Sequence, residues 1–127
     1  MATALRAGAD LTDALVPQTF SAGYRETHDD ARERVVGWLA ATDASVLAGE
    51  ADAIASVADL RPRLAGLRVP VLARVGDADT AVPVALSAEV ASLVPGGRLE
   101  IVPGAAHVLA IEDLPGTVDS IEQTLRR

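Results

Sequence analysis

Apolar positions recur along the chain in two rhythms, and the change falls near residue 58. Before it the spacing is helical. Ala2–Leu15 is rich in Ala and Leu, and Val16-Pro17 is expected to end that helix, because the residue before a proline is pushed out of the helical region. Thr27 is the expected N-cap of the next helix, with Asp29, Asp30 and Glu33 in first turns where the dipole favours anions. Val35, Val36, Trp38 and Leu39 then supply an apolar side up to about Ala41. Thr42 or Asp43 opens a further run carrying Val46, Leu47, Ala51, Ile54 and Val57. Gly49 weakens that run, which fits one helix or two short ones.

After the change the pattern alternates between strand-like and helix-like blocks. Asp59–Leu67 reads as a short helix or turn, and Val69–Val75 as a buried strand with Pro70 at its beginning, where the missing N–H does least harm. Pro83 or Val84 starts a helix through Val94 with Leu86, Val90, Leu93 and Val94 on one side, and Pro95-Gly96-Gly97 stops it. Arg98–Val102 is the second strand. Leu114–Leu125 is a final amphipathic helix with Val118, Ile121 and Leu125 at helical spacing. Strand, helix, strand, helix with short connections implies a right-handed parallel unit and an α/β fold class. The chain thus divides into a helical segment over 1–58 and a strand–helix–strand–helix part over 59–127.

The candidate chemistry sits just past the two strands. One is followed by Gly76-Asp77-Ala78-Asp79-Thr80-Ala81-Val82-Pro83 and the other by Gly104-Ala105-Ala106-His107. A carboxylate after one strand and a histidine after the next is how α/β enzymes place an acid and a base, on the carboxyl edge of a parallel sheet. Asp79 is the candidate acid, with Asp77 its rival, and His107 the candidate base. The plainer readings are an aspartate bonding its own turn and a lone histidine closing a strand. His28, beside Asp29 and Asp30, is expected on the surface, and Trp38 is expected to pack among the helices. No nucleophile is evident. There is no Gly-x-Ser-x-Gly, and Ser21, Ser45, Ser56, Ser87, Ser92 and Ser120 all fall in expected helices or loops without flanking glycines.

Composition narrows the function classes. The 127 residues, half of them hydrophobic, suit one domain with enough apolar surface for a core. A net charge of −7 argues against a phosphate-binding surface, and one Phe, one Tyr and one Trp leave little for base stacking. Nucleic acid is therefore not an expected partner. The absence of cysteine excludes disulfides, thiol catalysis and thiolate metal sites. Two histidines with no ligand-spaced pair give no case for a metal, and no Gly-x-Gly-x-x-Gly points to a dinucleotide, so no cofactor is expected. Charged residues, Gly or Pro interrupt every apolar run well short of a membrane span, and the first residues lack a signal-peptide pattern. A cytoplasmic protein without a membrane partner is expected.

The second part resembles the C-terminal third of the α/β-hydrolase superfamily. The shared pattern is an apolar strand, Gly-x-x-Asp-x-x-x-Pro, and then Gly-x-x-His, matched by Gly76, Asp79, Pro83, Gly104 and His107. The resemblance puts the acid three residues past the glycine, which favours Asp79 and leaves Asp77 as a solvated turn residue. Glu112 stands where the family often carries an acidic residue, and Pro115 follows one residue later than the common spacing. Pro17-Gln18-Thr19-Phe20 and Ala53–Leu64 resemble the start of the helical cap and the segment leading back to the sheet in the branch of 3-oxoadipate enol-lactonases and related esterases. The resemblance implies a partial α/β-hydrolase fold: a cap-like segment over 1–58, then the last two strands and helices, with the nucleophile-bearing half absent. It also implies hydrolysis of a small-molecule carboxylic ester or lactone, with Asp79 and His107 as acid and base of a triad. The serine and the oxyanion hole would come from a complementary chain, with self-association through the open sheet edge as the other expected partnership, and this chain alone is expected to hydrolyse nothing at a useful rate. The alternatives are a non-catalytic interaction module and a truncated remnant.

Overall fold

The computed structural model describes residues 3, 6, 7 and 9–126. Of the expected first helix, Ala2, Ala4, Leu5 and Gly8 lie outside the described residues. Helices α1 (Thr12–Thr19), α2 (Ala22–Thr27), α3 (Ala31–Ala40) and α4 (Ala44–Ser56) form the first part. Helix α5 (Arg61–Leu64), strand β1 (Leu72–Gly76), helix α6 (Val84–Leu93), strand β2 (Arg98–Val102), helix α7 (Leu109–Glu112) and helix α8 (Leu114–Leu125) follow. The strands pair in parallel, with Leu72 opposite Arg98 and Gly76 opposite Val102.

Several boundaries differ from those expected, each for a local reason. Helix α1 does not end before Pro17 but runs through it to Thr19. Pro17 costs only the bond its missing N–H would have given to Asp13, and both residues are exposed, so water can take the orphaned carbonyl. Thr27 does not cap α3: it is the last residue of α2, and its hydroxyl donates back to the carbonyls of Gly23 and Tyr24. Asp30 takes the N-cap position, which leaves Glu33 as the acid of that first turn. Asp43 caps α4 by accepting from Ser45 N, and the helix continues past Gly49 unbroken. Strand β1 starts at Leu72, not Val69, which is exposed beside Pro70.

The helical part closes around one aromatic. Phe20 is fully buried with Ala31 and Val35, and Leu15, Val16, Tyr24, Leu39, Val108 and Ile111 pack against them. Trp38 lies at the rim, its ring centroid 5.8 Å from that of Phe20 and its side half-exposed. His28 is exposed, as expected, and stacks on Tyr24. Because Val108 and Ile111 come from beyond β2, this cluster ties the helical part to the sheet end of the molecule.

The sheet is covered differently on its two faces. Helix α6 packs against both strands. Helix α8 is held by polar links instead. Side chains alternate across a strand, so Arg74, Arg98 and Glu100 all point to the α8 side. There Arg74, only 10% exposed, donates to Glu100 Oε1 at 2.9 Å, to Thr117 Oγ1 at 2.8 Å and to Asp113. Ser120 donates to the other Glu100 oxygen at 2.7 Å, and Arg98 to Thr124 at 3.1 Å. No described helix is long and apolar enough to cross a membrane.

Candidate active site at the sheet edge

Strands β1 and β2 end level, so the loops 77–83 and 103–108 leave the same edge side by side. Two hydrogen bonds join these loops, and a third ties the first of them to the end of β2. Asp77 N donates to Val102 O at 3.1 Å, Ala78 N to Ala105 O at 3.0 Å, and Gly104 N to the Asp77 carboxylate at 2.7 Å. Two glycines make this approach possible. A Cβ on Gly76 would lie 2.0 Å from the Ala105 carbonyl oxygen, and Gly104 turns the second loop at φ +73°, a conformation that L side chains resist.

Within this frame Asp79 is anchored and His107 is presented. One Asp79 oxygen accepts from the backbone N–H groups of Ala81 and Val82, both at 2.8 Å. The other lies 2.9 Å from His107 Nδ1. The Asp79 side chain is 5% exposed and that of His107 48%. Burial alone would raise the Asp79 pKa, but the Val82 and Ala81 N–H groups and the His107 ring outweigh it and hold the carboxyl below its ordinary value. An ionised carboxylate only accepts, so Nδ1 must carry the ring proton and Nε2 is left as the basic nitrogen. The pair can therefore accept a proton at Nε2 and stabilise the imidazolium that results.

Two further carboxylates hold the histidine loop, and sequence reasoning gave neither its contact. Asp77 is exposed but is not merely a solvated turn residue, because the neighbouring loop brings Gly104 N against it. Glu112 Oε1 accepts from Ala106 N at 3.3 Å and from Ser21 N at 2.9 Å. Val108 N also reaches Thr19 O at 3.3 Å. The only forewarning of Glu112 was its place in the family pattern. Of the serines, Ser21 caps α2 through Tyr24 N, Ser120 bonds Glu100, Ser56 and Ser92 donate to carbonyls of their own helices, and Ser45 and Ser87 lie within α4 and α6. Among the described residues, the His107 ring hydrogen-bonds Asp79 alone. No group of three or more described His, Asp or Glu residues is placed to hold a metal.

No protein-family model and no curated protein matches the sequence. Solved structures do. An enol-lactonase from Burkholderia xenovorans superposes with a TM-score of 0.89 at 29% identity, over 99% of this chain and 48% of its own. A thermophilic esterase from Thermogutta terrifontis superposes with a TM-score of 0.86 at 21% identity, over 98% of this chain and 46% of its own. The chain has the fold of the C-terminal portion of an α/β-hydrolase. It spans about half the length of the hydrolases it resembles. Within this portion of the fold the Asp79–His107 pair occupies the carboxyl end of the two strands, and the helical segment precedes the strands in the sequence and packs over the same end.

Proposed function

We propose that the chain provides the acid and base of a Ser–Asp–His acyl-transfer site that cleaves a carboxylic ester or lactone. The observation that carries this reading is the anchored Asp79 carboxylate bonded to the Nδ1 of a half-exposed histidine. His107 Nε2 takes the proton of a serine hydroxyl as it attacks the carbonyl, then returns it to the leaving alkoxide. Asp79 keeps the tautomer and stabilises the imidazolium. The serine and the oxyanion donors come from a complementary segment outside these residues.

That segment is expected to dock along β1. Arg98 N donates to Val71 O and Asp77 N to Val102 O, so residues 71, 73, 75 and 77 face β2 and residues 72, 74 and 76 turn their backbone groups to the open side. Apolar grooves flank this edge on both faces. One of about 420 Å³ includes Val71, Leu72, Ile121 and Leu125, and one of about 220 Å³ includes Ala73, Val82, Leu86 and Val90. Such an edge favours an added strand. The test is turnover of an aryl acetate by the chain alone and with a co-expressed chain bearing Gly-x-Ser-x-Gly. Alone, the chain should match its His107→Ala variant. With the partner, activity should appear, and Asp79→Asn should lower it by roughly 10⁴-fold. Activity of the pair that survives His107→Ala would sink the assignment. Activity of the lone chain that a single Ser→Ala change removes would sink the outside nucleophile.

A further inference from the structure

The segment that carries His107 is held at two backbone amides by two carboxylates that take no part in proton transfer. Gly104 N, three residues before the histidine, donates to Asp77 Oδ1 at 2.7 Å. Ala106 N, immediately before it, donates to Glu112 Oε1 at 3.3 Å. The two acids come from different places, Asp77 from the loop that also bears Asp79, and Glu112 from the end of α7. Both bonds add to those the loop makes within its own turn, and the Gly104 contact is the shorter of the two. The same Glu112 oxygen accepts from Ser21 N at 2.9 Å, and Val108 N on the other side of the histidine donates to Thr19 O. The chain beside His107 is thus tied to Thr19–Ser21, directly through Val108 and by way of Glu112 through Ala106, and Phe20 of that segment is the fully buried centre of the helical cluster.

From this arrangement we infer that Asp77 and Glu112 are positioning residues for His107, and that Glu112 makes the alignment of the base depend on the docked helical part. The inference rests on the reading of His107 as the base. Without the two carboxylates the loop 103–108 keeps the Ala78 N to Ala105 O bond, the Val108 N to Thr19 O bond and Gly104's turn, but the chain just before the histidine loses its side-chain anchors and His107 is held less closely to Asp79. Asn at 77 and Gln at 112 each retain an acceptor oxygen and should restore the alignment. Glu112→Ala also releases Ser21 N, so its effect should reach the Phe20 neighbourhood, whereas that of Asp77→Ala should stay at the sheet edge.

The test is NMR of the ¹⁵N-labelled 127-residue chain. The Nδ1–H proton of His107, bonded to Asp79, should give a downfield resonance in slow exchange with water. It should broaden or vanish in Asp77→Ala and in Glu112→Ala, and persist in Asp77→Asn and Glu112→Gln. Should an alanine variant fail to fold, hydrogen exchange in the unchanged chain decides: the Gly104 and Ala106 amides should exchange at least about tenfold slower than in an unstructured peptide. Rates equal to the peptide's would overturn the inference, as would a wild-type Nδ1–H signal in either folded alanine variant. Absence of that signal from the unchanged chain would instead remove the Asp79–His107 pairing, and with it the proposed function.

Discussion

Gly76→Ala tests how tightly the site is built. The added Cβ would sit 2.0 Å from Ala105 O, 2.5 Å from its carbonyl carbon and 2.8 Å from Ala106 O, and all three are backbone atoms that cannot rotate away. The Ala105 carbonyl must retreat by about 1 Å to reach the closest approach that real methyl groups show. That movement stretches the 3.0 Å bond from Ala78 N beyond hydrogen-bond range unless both loops shift together. Overpacking strain of about 1–3 kcal/mol and one lost backbone hydrogen bond of about 1 kcal/mol make the expected cost roughly 2–4 kcal/mol. In urea unfolding followed by circular dichroism, the midpoint should fall by about 1–2 M. Gly49→Ala supplies the contrast. It adds the same methyl to an exposed helical position with nothing within 4 Å, and should stabilise the chain by up to about 1 kcal/mol. A Gly76→Ala chain within about 0.5 kcal/mol of the unchanged one would refute the reasoning, because it would mean the loops are not held in contact in solution.

Other measurements probe the acid and the core. Asp79, Glu100 and Asp113 are each held below the ordinary carboxylate range, so the stability they contribute is complete above their unfolded values near pH 4 and is lost as pH falls through the lower folded values. Unfolding midpoints should stay level from pH 7 to about pH 5 and drop below about pH 4, with a shallower drop in Asp79→Asn; equal slopes in the two chains would contradict the buried, ionised Asp79. Phe20→Ala should cost about 3–5 kcal/mol in the same assay, because the ring is fully enclosed. A loss under about 1 kcal/mol would show that the helical part is not packed around it.

The sequence was most legible where pattern and punctuation agree. Arg98–Val102 and Leu114–Leu125 stand at their expected bounds, and α6 starts at Val84 behind Pro83, because prolines and glycines mark all those ends but the one at Leu125 and the apolar period is clean between them. Asp79 and His107 share one sheet edge because each follows a strand of a parallel pair. Helices α2 and α7 were not anticipated. At six and four residues they are too short for an apolar period, and their places are set by tertiary contacts, Ser21 capping the one and Val108 and Ile111 anchoring the other. The contacts of Asp77 and Glu112 were hidden for a related reason. Each accepts from an amide distant in sequence or brought round by a turn, and spacing says nothing about which N–H will arrive beside a carboxylate.

The pairing of Arg74 with Glu100 bears on the chemistry although neither residue belongs to the site. These two face each other across the strands, with Asp113, Thr117 and Ser120 closing around them. They act as a gauge. Sliding one strand by a residue would turn its Arg or Glu to the opposite face and advance one loop by about 3.3 Å relative to the other. The 2.9 Å reach between Asp79 and His107 has no room for such a step. A charge pair in mid-strand thus helps to hold the spacing of Asp79 and His107 at the strand ends. It follows that a chain could conserve every atom of the Asp79 and His107 loops and still lose their alignment through a substitution at Arg74.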